Sequence, residues 1–331
     1  MSSNNRLLSY ALAINEALDQ LMTADESVFI IGQGVKSPWY VGKTCSGLVE
    51  KHGESRVIDT PVSENAMTGA AVGAAIAGMK AISVHPRMDF MLYGLDPVIN
   101  EAANWHYMFA GASSVPFVLW GIINRKGEQG AQHSQALHAM FAHIPGLKVV
   151  APATPRDAKG LMVAAINDLN PVVFVDDRWL YDIEAHVPEE LYEIEIGKAN
   201  VVKEGTDLTI VSSSFLTQEA LKAADLLQEA GMNVEVVDLR TIKPLDMPTI
   251  LDSVRKTHRL LVVDGGWRSF GVSAEVAAHV SEHAFDTLQA PVRRLALPDV
   301  PAPASQSLED VYYISSESIV GAVKEMVSLD G

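Results

Sequence analysis

One carboxylate stands where a carboxylate has a cost. In "RVIDTPVSENAMTGAAVGAAIAGMKAI" a strand-like Val57-Ile58 meets a turn at Asp59-Thr60-Pro61, and Glu64 then heads a long run of small apolar residues. The ordinary reading is an acid at a helix start, stabilised by free backbone N–H groups and the helix dipole. The run behind it adds a second reading. Gly69, Gly73 and Gly78 lie among alanines at 66, 70, 71, 74, 75 and 77, so another backbone could approach closely. Glycine in a helix interior costs up to about 1 kcal/mol relative to alanine, which implies tight packing, as at a subunit interface. An acid beside such an interface would lose water, and its pKa would rise. A carboxyl in that state can hold or share a proton near neutrality. That suits hydrogen bonding to a ring nitrogen that must be protonated to react.

A second cluster is "GEQGAQHSQALHAMFAHIPG". Its Gly-rich loop leads into Gln132-His133-Ser134-Gln135, with a helix expected from Ser134 to His143. His133 then sits at the loop-to-helix junction, as a cap or as a side chain pointing into a cleft. His133, His138 and His143 lie five apart and would fan round a helix, which argues against a shared metal ion. A third stretch, "VDGGWRSFGVSAEV", reads as a strand-to-helix turn. It matches neither G-x-G-x-x-G nor the P-loop, so it is a weak nucleotide signal.

These residues need elements to hold them. Nearly continuous Val/Ile-rich runs predict strands at 27–32, 81–85, 115–121, 147–152 and 171–177. Such runs mark strands buried on both faces of a parallel sheet. Helices are expected near 7–22, 65–78, 93–109, 134–143 and 155–167. A second alternating set follows, with strands at 207–214, 233–239, 259–266 and 291–297. Its helices fall at 217–230, 246–256, 273–285 and 308–326. The fold class is α/β with two doubly wound domains, expected at 1–177 and 206–331. The acidic, irregular stretch 178–205 reads as a linker.

Composition narrows the function. The chain has 331 residues, 48% hydrophobic and 20% charged, which suits two domains. Asp plus Glu number 41 against 25 Lys plus Arg, a formal net charge of -16, so nucleic acid and anionic membranes are not expected partners. Cys45 is the one cysteine, which excludes a disulfide framework within the chain and a Cys-rich metal site. Its N-terminal pattern lacks the features of a signal peptide, and a cytoplasmic location is expected. The apolar run 66–79 is shorter than the roughly 20 residues that span a bilayer.

Six blocks in one order, "RVIDTPVSENAMTGAAVGAAIAGMKAI", "GAQHSQ", "HIPGLKVVAPATPRDAKGLMVAAINDLNPVVF", "DLTIVSSS", "VEVVDLRTIKPLDMPTI" and "LLVVDGGWRSFGVSAEV", resemble the β subunit of thiamine-diphosphate-dependent 2-oxo acid dehydrogenases, the E1 component of the pyruvate and branched-chain complexes. The resemblance spans about 7–326. It implies a transketolase-like pyrimidine-binding domain followed by a transketolase C-terminal domain. It implies that Glu64 hydrogen-bonds the aminopyrimidine ring nitrogen of the cofactor and favours the imino tautomer that removes the thiazolium C2 proton. His133 matches the active-site histidine that assists decarboxylation and acyl transfer. Val62, Phe90 and Tyr93 match cofactor-pocket positions. A structural K+ held by backbone carbonyls would fall at Phe117, Ala165, Ile166, Asp168 and Asn170. The Gly-Asp-Gly block that holds Mg2+ and the diphosphate is missing from this sequence. The resemblance therefore implies a shared site, with that half supplied by an α subunit in an α2β2 assembly and a lipoyl acyltransferase E2 as onward partner.

The chain departs from the family at "VHPRMDF", where His85 and Arg87 replace apolar residues. They read either as solvated edge residues or as substrate groups near a channel mouth, Arg87 offering paired donors to a carboxylate. The expected activity is oxidative decarboxylation of a 2-oxo acid with acyl transfer to lipoyl. The alternatives are the C-terminal half of a split transketolase or 1-deoxyxylulose-5-phosphate synthase-like enzyme, and a non-catalytic partner that stabilises an α subunit.

Overall fold

The computed structural model describes residues 6–328, which divide into two compact units. Of the described residues, unit 1 comprises 6–124 and 140–196, and unit 2 comprises 125–139 and 197–328.

Unit 1 opens with β1 (Leu7–Ser9) and α1 (Tyr10–Ala24), then β2 (Val28–Gly32), α2 (Leu48–His52), β3 (Val57–Asp59), α3 (Glu64–Ile76) and β4 (Lys80–His85). A 3-10 turn (Met88–Gly94) and a π-helical stretch (Pro97–Ala102) lead into α4 (Ala103–Met108). The single helix expected over 93–109 is thus three helical pieces, with Pro97 opening the second. After β5 (Phe117–Ile123) come α5 (His138–His143), whose first two residues fall in unit 2, then β6 (Lys148–Val150), α6 (Pro155–Asn167), β7 (Val172–Asp177) and β8 (Glu184–His186).

Within this unit the parallel strands run in the order β6-β7-β5-β4-β2-β3. Every residue of β2, β5 and β7 is buried, as their continuous apolar runs require. The cap of α6 is local: the Thr154 hydroxyl accepts from the Asp157 N–H at 3.1 Å, and Pro155 fills the first turn. Lys159 ties α6 to α1. Its ammonium is fully buried, yet it donates to Glu16 at 2.6 Å and to the carbonyls of Pro188 and Glu189. A buried ammonium needs that full set of acceptors.

Unit 2 holds β9 (Asn200–Lys203), β10 (Leu208–Ser212), α7 (Phe215–Glu229), β11 (Val234–Asp238), β12 (Thr241–Lys243), α8 (Met247–Thr257), β13 (Leu260–Trp267), α9 (Val272–Ala284), β14 (Arg293–Leu297), α10 (Gln306–Tyr312) and α11 (Ser316–Ser328). Its sheet has the order β14-β13-β10-β11-β9, parallel except for β9, which is antiparallel to β11. The core packs α7 and α11 on this sheet through Leu216, Ala220, Leu227, Ile319 and Val323.

The expected alternation of strands and helices is present in both units. The boundaries differ in two places. The stretch 178–205 read as a linker includes β8, which pairs with β1, and β9, which joins the second sheet, while 187–199 lie outside any helix or strand. The segment 125–139 clusters with unit 2 although both flanks belong to unit 1. Among the described residues, no helix is long and apolar enough to cross a membrane.

Candidate active site

Glu64 is the first residue of α3, and it stands over the carboxyl ends of parallel strands. That is where open α/β sheets bind ligands. β2 ends at Gly32, in register with Asp59 of β3 and Val84 of β4. A side chain at position 32 would meet the Val84 carbonyl at 2.5 Å, so the strand ends can come this close only with glycine. The chain turns at once, and the next residue, buried Gln33, places its amide 3.4 Å from a Glu64 carboxylate oxygen. Sequence reading missed Gln33. Its one signal is a polar residue directly after a fully apolar strand.

The head of α3 is tied to the 3-10 turn. Asn65 donates to the Tyr93 carbonyl at 3.2 Å, and Gly94 lies against Thr68. These contacts bring Val62, Glu64, Phe90 and Tyr93 to one end of unit 1. Val62 is 79% exposed and Tyr93 72% exposed, Phe90 is half-buried, and Glu64 is partly buried. Two large exposed apolar side chains flanking a partly buried acid make an apolar surface with one polar handle. That composition fits half of a pocket for a heteroaromatic ring.

The outer face of α3 is also distinctive. Met67, Thr68, Ala71, Val72 and Ala75 face the core, while Ala66, Ala70, Gly73 and Ala77 are exposed. A Cβ added at Gly69, Gly73 or Gly78 would meet nothing within 4 Å in this chain. Packing inside the chain therefore does not require Gly69 or Gly73, whereas Gly78 has a φ of 99°, a conformation that favours glycine.

His85 does not stand at a channel mouth. It ends β4, is fully buried, and its Nε2 lies 3.2 Å from both the Thr68 and Ser83 hydroxyls. Burial pushes its pKa down to about 3, so the ring is neutral. Sequence reading missed this because an exposed strand end and a buried one carry the same local pattern. Arg87 is half-buried and donates to the Pro86 carbonyl at 2.7 Å. Burial, then the neighbouring charge of Arg178, lowers its pKa.

Of the carbonyl positions, 117 opens β5, 165 and 166 lie in the last turn of α6, 168 is its C-cap and 170 follows it. The Asp168 carboxylate is engaged by Lys148 and by the Asn170 N–H, the latter at 2.9 Å.

His133 belongs to unit 2. It lies in a turn, its N–H donating to the Gly130 carbonyl at 3.3 Å, and α5 begins only at His138. The expected loop-to-helix junction is therefore a turn followed by residues 134–137, which lie outside any helix or strand. The preceding loop holds Lys126 and Glu128 at φ of 57° and 59°, a conformation that strains residues with a Cβ.

The turn after β13 is explained by packing. A Cβ at Gly265 would meet the Arg125 guanidinium at 2.5 Å, and one at Gly271 would meet the Trp267 carbonyl at 2.4 Å. Asp264 accepts from His138 at 3.0 Å and from the N–H groups of Gly266 and Ser273 at 2.9 Å each. Burial alone would raise the Asp264 pKa, but these donors hold it below the usual carboxylate value.

Residues 7–183 match the family described as transketolase, pyrimidine binding domain, and residues 197–319 match transketolase, C-terminal domain. The β subunit of acetoin:2,6-dichlorophenolindophenol oxidoreductase from Cupriavidus necator is 43% identical over 331 residues, covering 97% of each chain. The pyruvate dehydrogenase E1 component subunit beta of Rickettsia felis is 42% identical, covering 95% of this chain and 96% of that protein. A solved structure described as split gene transketolase, inactive beta4 tetramer, has a TM-score of 0.80 at 20% identity, covering 98% of this chain and 99% of its own. At that identity the likeness shows the fold alone. The two domains and the strand-end site thus define a transketolase-class α/β protein. The chain belongs to the dehydrogenase β-subunit family that includes the pyruvate dehydrogenase E1 and acetoin oxidoreductase β subunits.

Proposed function

We propose that this chain is the β subunit of a thiamine-diphosphate-dependent dehydrogenase E1, oxidatively decarboxylating a 2-oxo acid and passing the acyl group to a lipoyl acyltransferase. The observation that supports it most is the Glu64 carboxylate at the head of α3, held by Gln33 and flanked by exposed Val62 and Tyr93. Bound thiamine diphosphate supplies the carbon nucleophile and electron sink for cleavage beside a carbonyl. Glu64 holds a proton at a pyrimidine ring nitrogen, and Gln33 fixes the direction of its carboxylate. Phe90 packs against the ring, and Val62 and Tyr93 exclude water from it. His133 moves protons on the substrate side.

The diphosphate and Mg2+ fall to an α subunit, because the sequence has no Gly-Asp-Gly block. The exposed small-residue face of α3 packs against that subunit in an α2β2 assembly, burying Gly69 and Gly73, against which nothing in this chain packs. A K+ ion takes backbone carbonyls at the end of α6, where the last-turn C=O groups lack helical partners. The setting is cytoplasmic.

The acetoin-oxidising relative motivates a second reading, in which the substrate is an acyloin with no carboxylate. Reconstitution with the α subunit, followed by a screen of 2-oxo acids and acyloins, separates the two. The isolated chain is expected to bind thiamine diphosphate with Mg2+ weakly and the α/β pair tightly. Tight binding by the isolated chain, or two-carbon transfer to an aldose without lipoyl acylation, would overturn the proposed reading.

A further inference from the structure

The sequence "HVSEH" closes α9 in unit 2, and the thiamine half-site does not use it. α9 buries Val272, Val276, Val280 and Ala284, while positions 279, 282 and 283, three and four residues apart, lie together near its end. Glu282 and His283 are exposed and His279 is partly so.

Three features distinguish this trio from an ordinary solvated face. The ligand atoms of His279, Glu282 and His283 all lie within 4.8 Å of one another. The two imidazoles stack, with ring centroids 4.1 Å apart and planes 19° from parallel. His283 Nδ1 lies 2.9 Å from the His279 carbonyl and must donate to it, which leaves Nε2 as the nitrogen with a free lone pair. A hydrogen bond from the second ring nitrogen to a carbonyl is how metal-ligating histidines are oriented.

We propose that His279, Glu282 and His283 form a binding site for a divalent transition-metal ion such as Zn2+ or Cu2+. Two histidines four apart on one helix face suit a single such ion. Bonds of about 2.0–2.2 Å around a tetrahedral ion place ligand atoms about 3.4 Å apart. Rotation of these outward-facing side chains closes the remaining gap without moving α9. Imidazoles select Cu2+ and Zn2+ over Mg2+ and Ca2+, which take oxygen ligands. The trio lies in the last turns of α9, whose carbonyl end favours a cation, and the chain's net charge of -16 adds to that attraction. Three protein ligands leave a fourth position for water or for a ligand from outside the chain.

The test uses the full chain stripped of metal with a chelator. Calorimetric titration with Zn2+ is expected to show one saturable site that Mg2+ does not displace. His279→Ala with His283→Ala should weaken binding by at least about tenfold, since losing even an outer-shell partner of a metal site costs about 10–100-fold. Glu282→Gln should weaken it less. With Cu2+, electron paramagnetic resonance should show two coupled imidazole nitrogens in the wild type and one in each single histidine variant. All three positions face outward, so the variants are expected to keep the wild-type circular dichroism. Unchanged Zn2+ affinity in the double variant, or no saturable binding by the wild type, would overturn the proposal.

Discussion

The Nε2 of His138 stands 3.0 Å from an oxygen of Asp264, and both groups are buried. Within unit 2, the pair joins the 125–139 segment to β13 across 126 residues of sequence. Asp264 also takes the Gly266 and Ser273 N–H groups, so it anchors the first turn of α9. Asp264→Asn should destabilise unit 2 by about 1–3 kcal/mol, because the buried donors of His138, Gly266 and Ser273 lose the carboxylate that accepts from them. Thermal unfolding followed by calorimetry checks this. The loss should shrink in acid: a carboxylate with a depressed pKa stabilises above its unfolded pKa, and that stability goes as pH falls through the folded value.

Asp176 behaves in the opposite sense. It is fully buried, accepting from Tyr181 at 2.7 Å and Trp120 at 3.1 Å, and burial pushes its pKa up to about 7. A raised carboxyl binds its proton more tightly folded than unfolded. Its contribution is therefore full in acid and is lost as pH rises from about 4 to about 7. Asp176→Asn should flatten the stability profile of unit 1 across that window, by an amount on the order of 4 kcal/mol. A profile as steep as the wild type would refute this.

Glu64→Gln should slow exchange of the cofactor C2 proton in the assembled enzyme by about 10²–10⁴-fold. Gln33→Leu keeps the acid but removes its 3.4 Å partner, and should slow the same exchange by about tenfold. Nuclear magnetic resonance of the C2 proton reads both. Wild-type exchange in Glu64→Gln, with cofactor bound, would remove Glu64 from this role.

His133→Ala should leave C2 exchange intact and impair turnover or acyl transfer, because the role proposed for His133 follows cofactor activation. The contrast with Glu64 is the measurement. Failure of both variants at the exchange step would merge their roles.

Arg87→Met should raise the Michaelis constant for a polar or dicarboxylic 2-oxo acid by about tenfold or more, the equivalent of about 1.4 kcal/mol. It should leave acyloins and small apolar oxo acids nearly unchanged. Identical kinetics for all substrates would assign Arg87 to unit 1 itself, where it already meets the Pro86 carbonyl.

Much of this protein was legible in one dimension. Strands such as β2 and β7 announced themselves because a strand buried on both faces must be apolar throughout. Glu64 was legible because a carboxylate heading a run of Ala and Gly is a local anomaly. Gln33, 31 residues from Glu64, was not, since only the pairing of β2 with β3 and β4 brings them together. His85 looked like an edge residue and is a core one, because burial depends on what packs over the strand end. The segment 125–139 joined unit 2 through contacts such as Arg125 against Gly265 and His138 on Asp264, which no periodicity encodes. Hydrophobic pattern is set by each residue's neighbours along the chain and so reads directly from sequence. Partners of buried polar groups are set by strand order and loop return, and only the folded chain decides them.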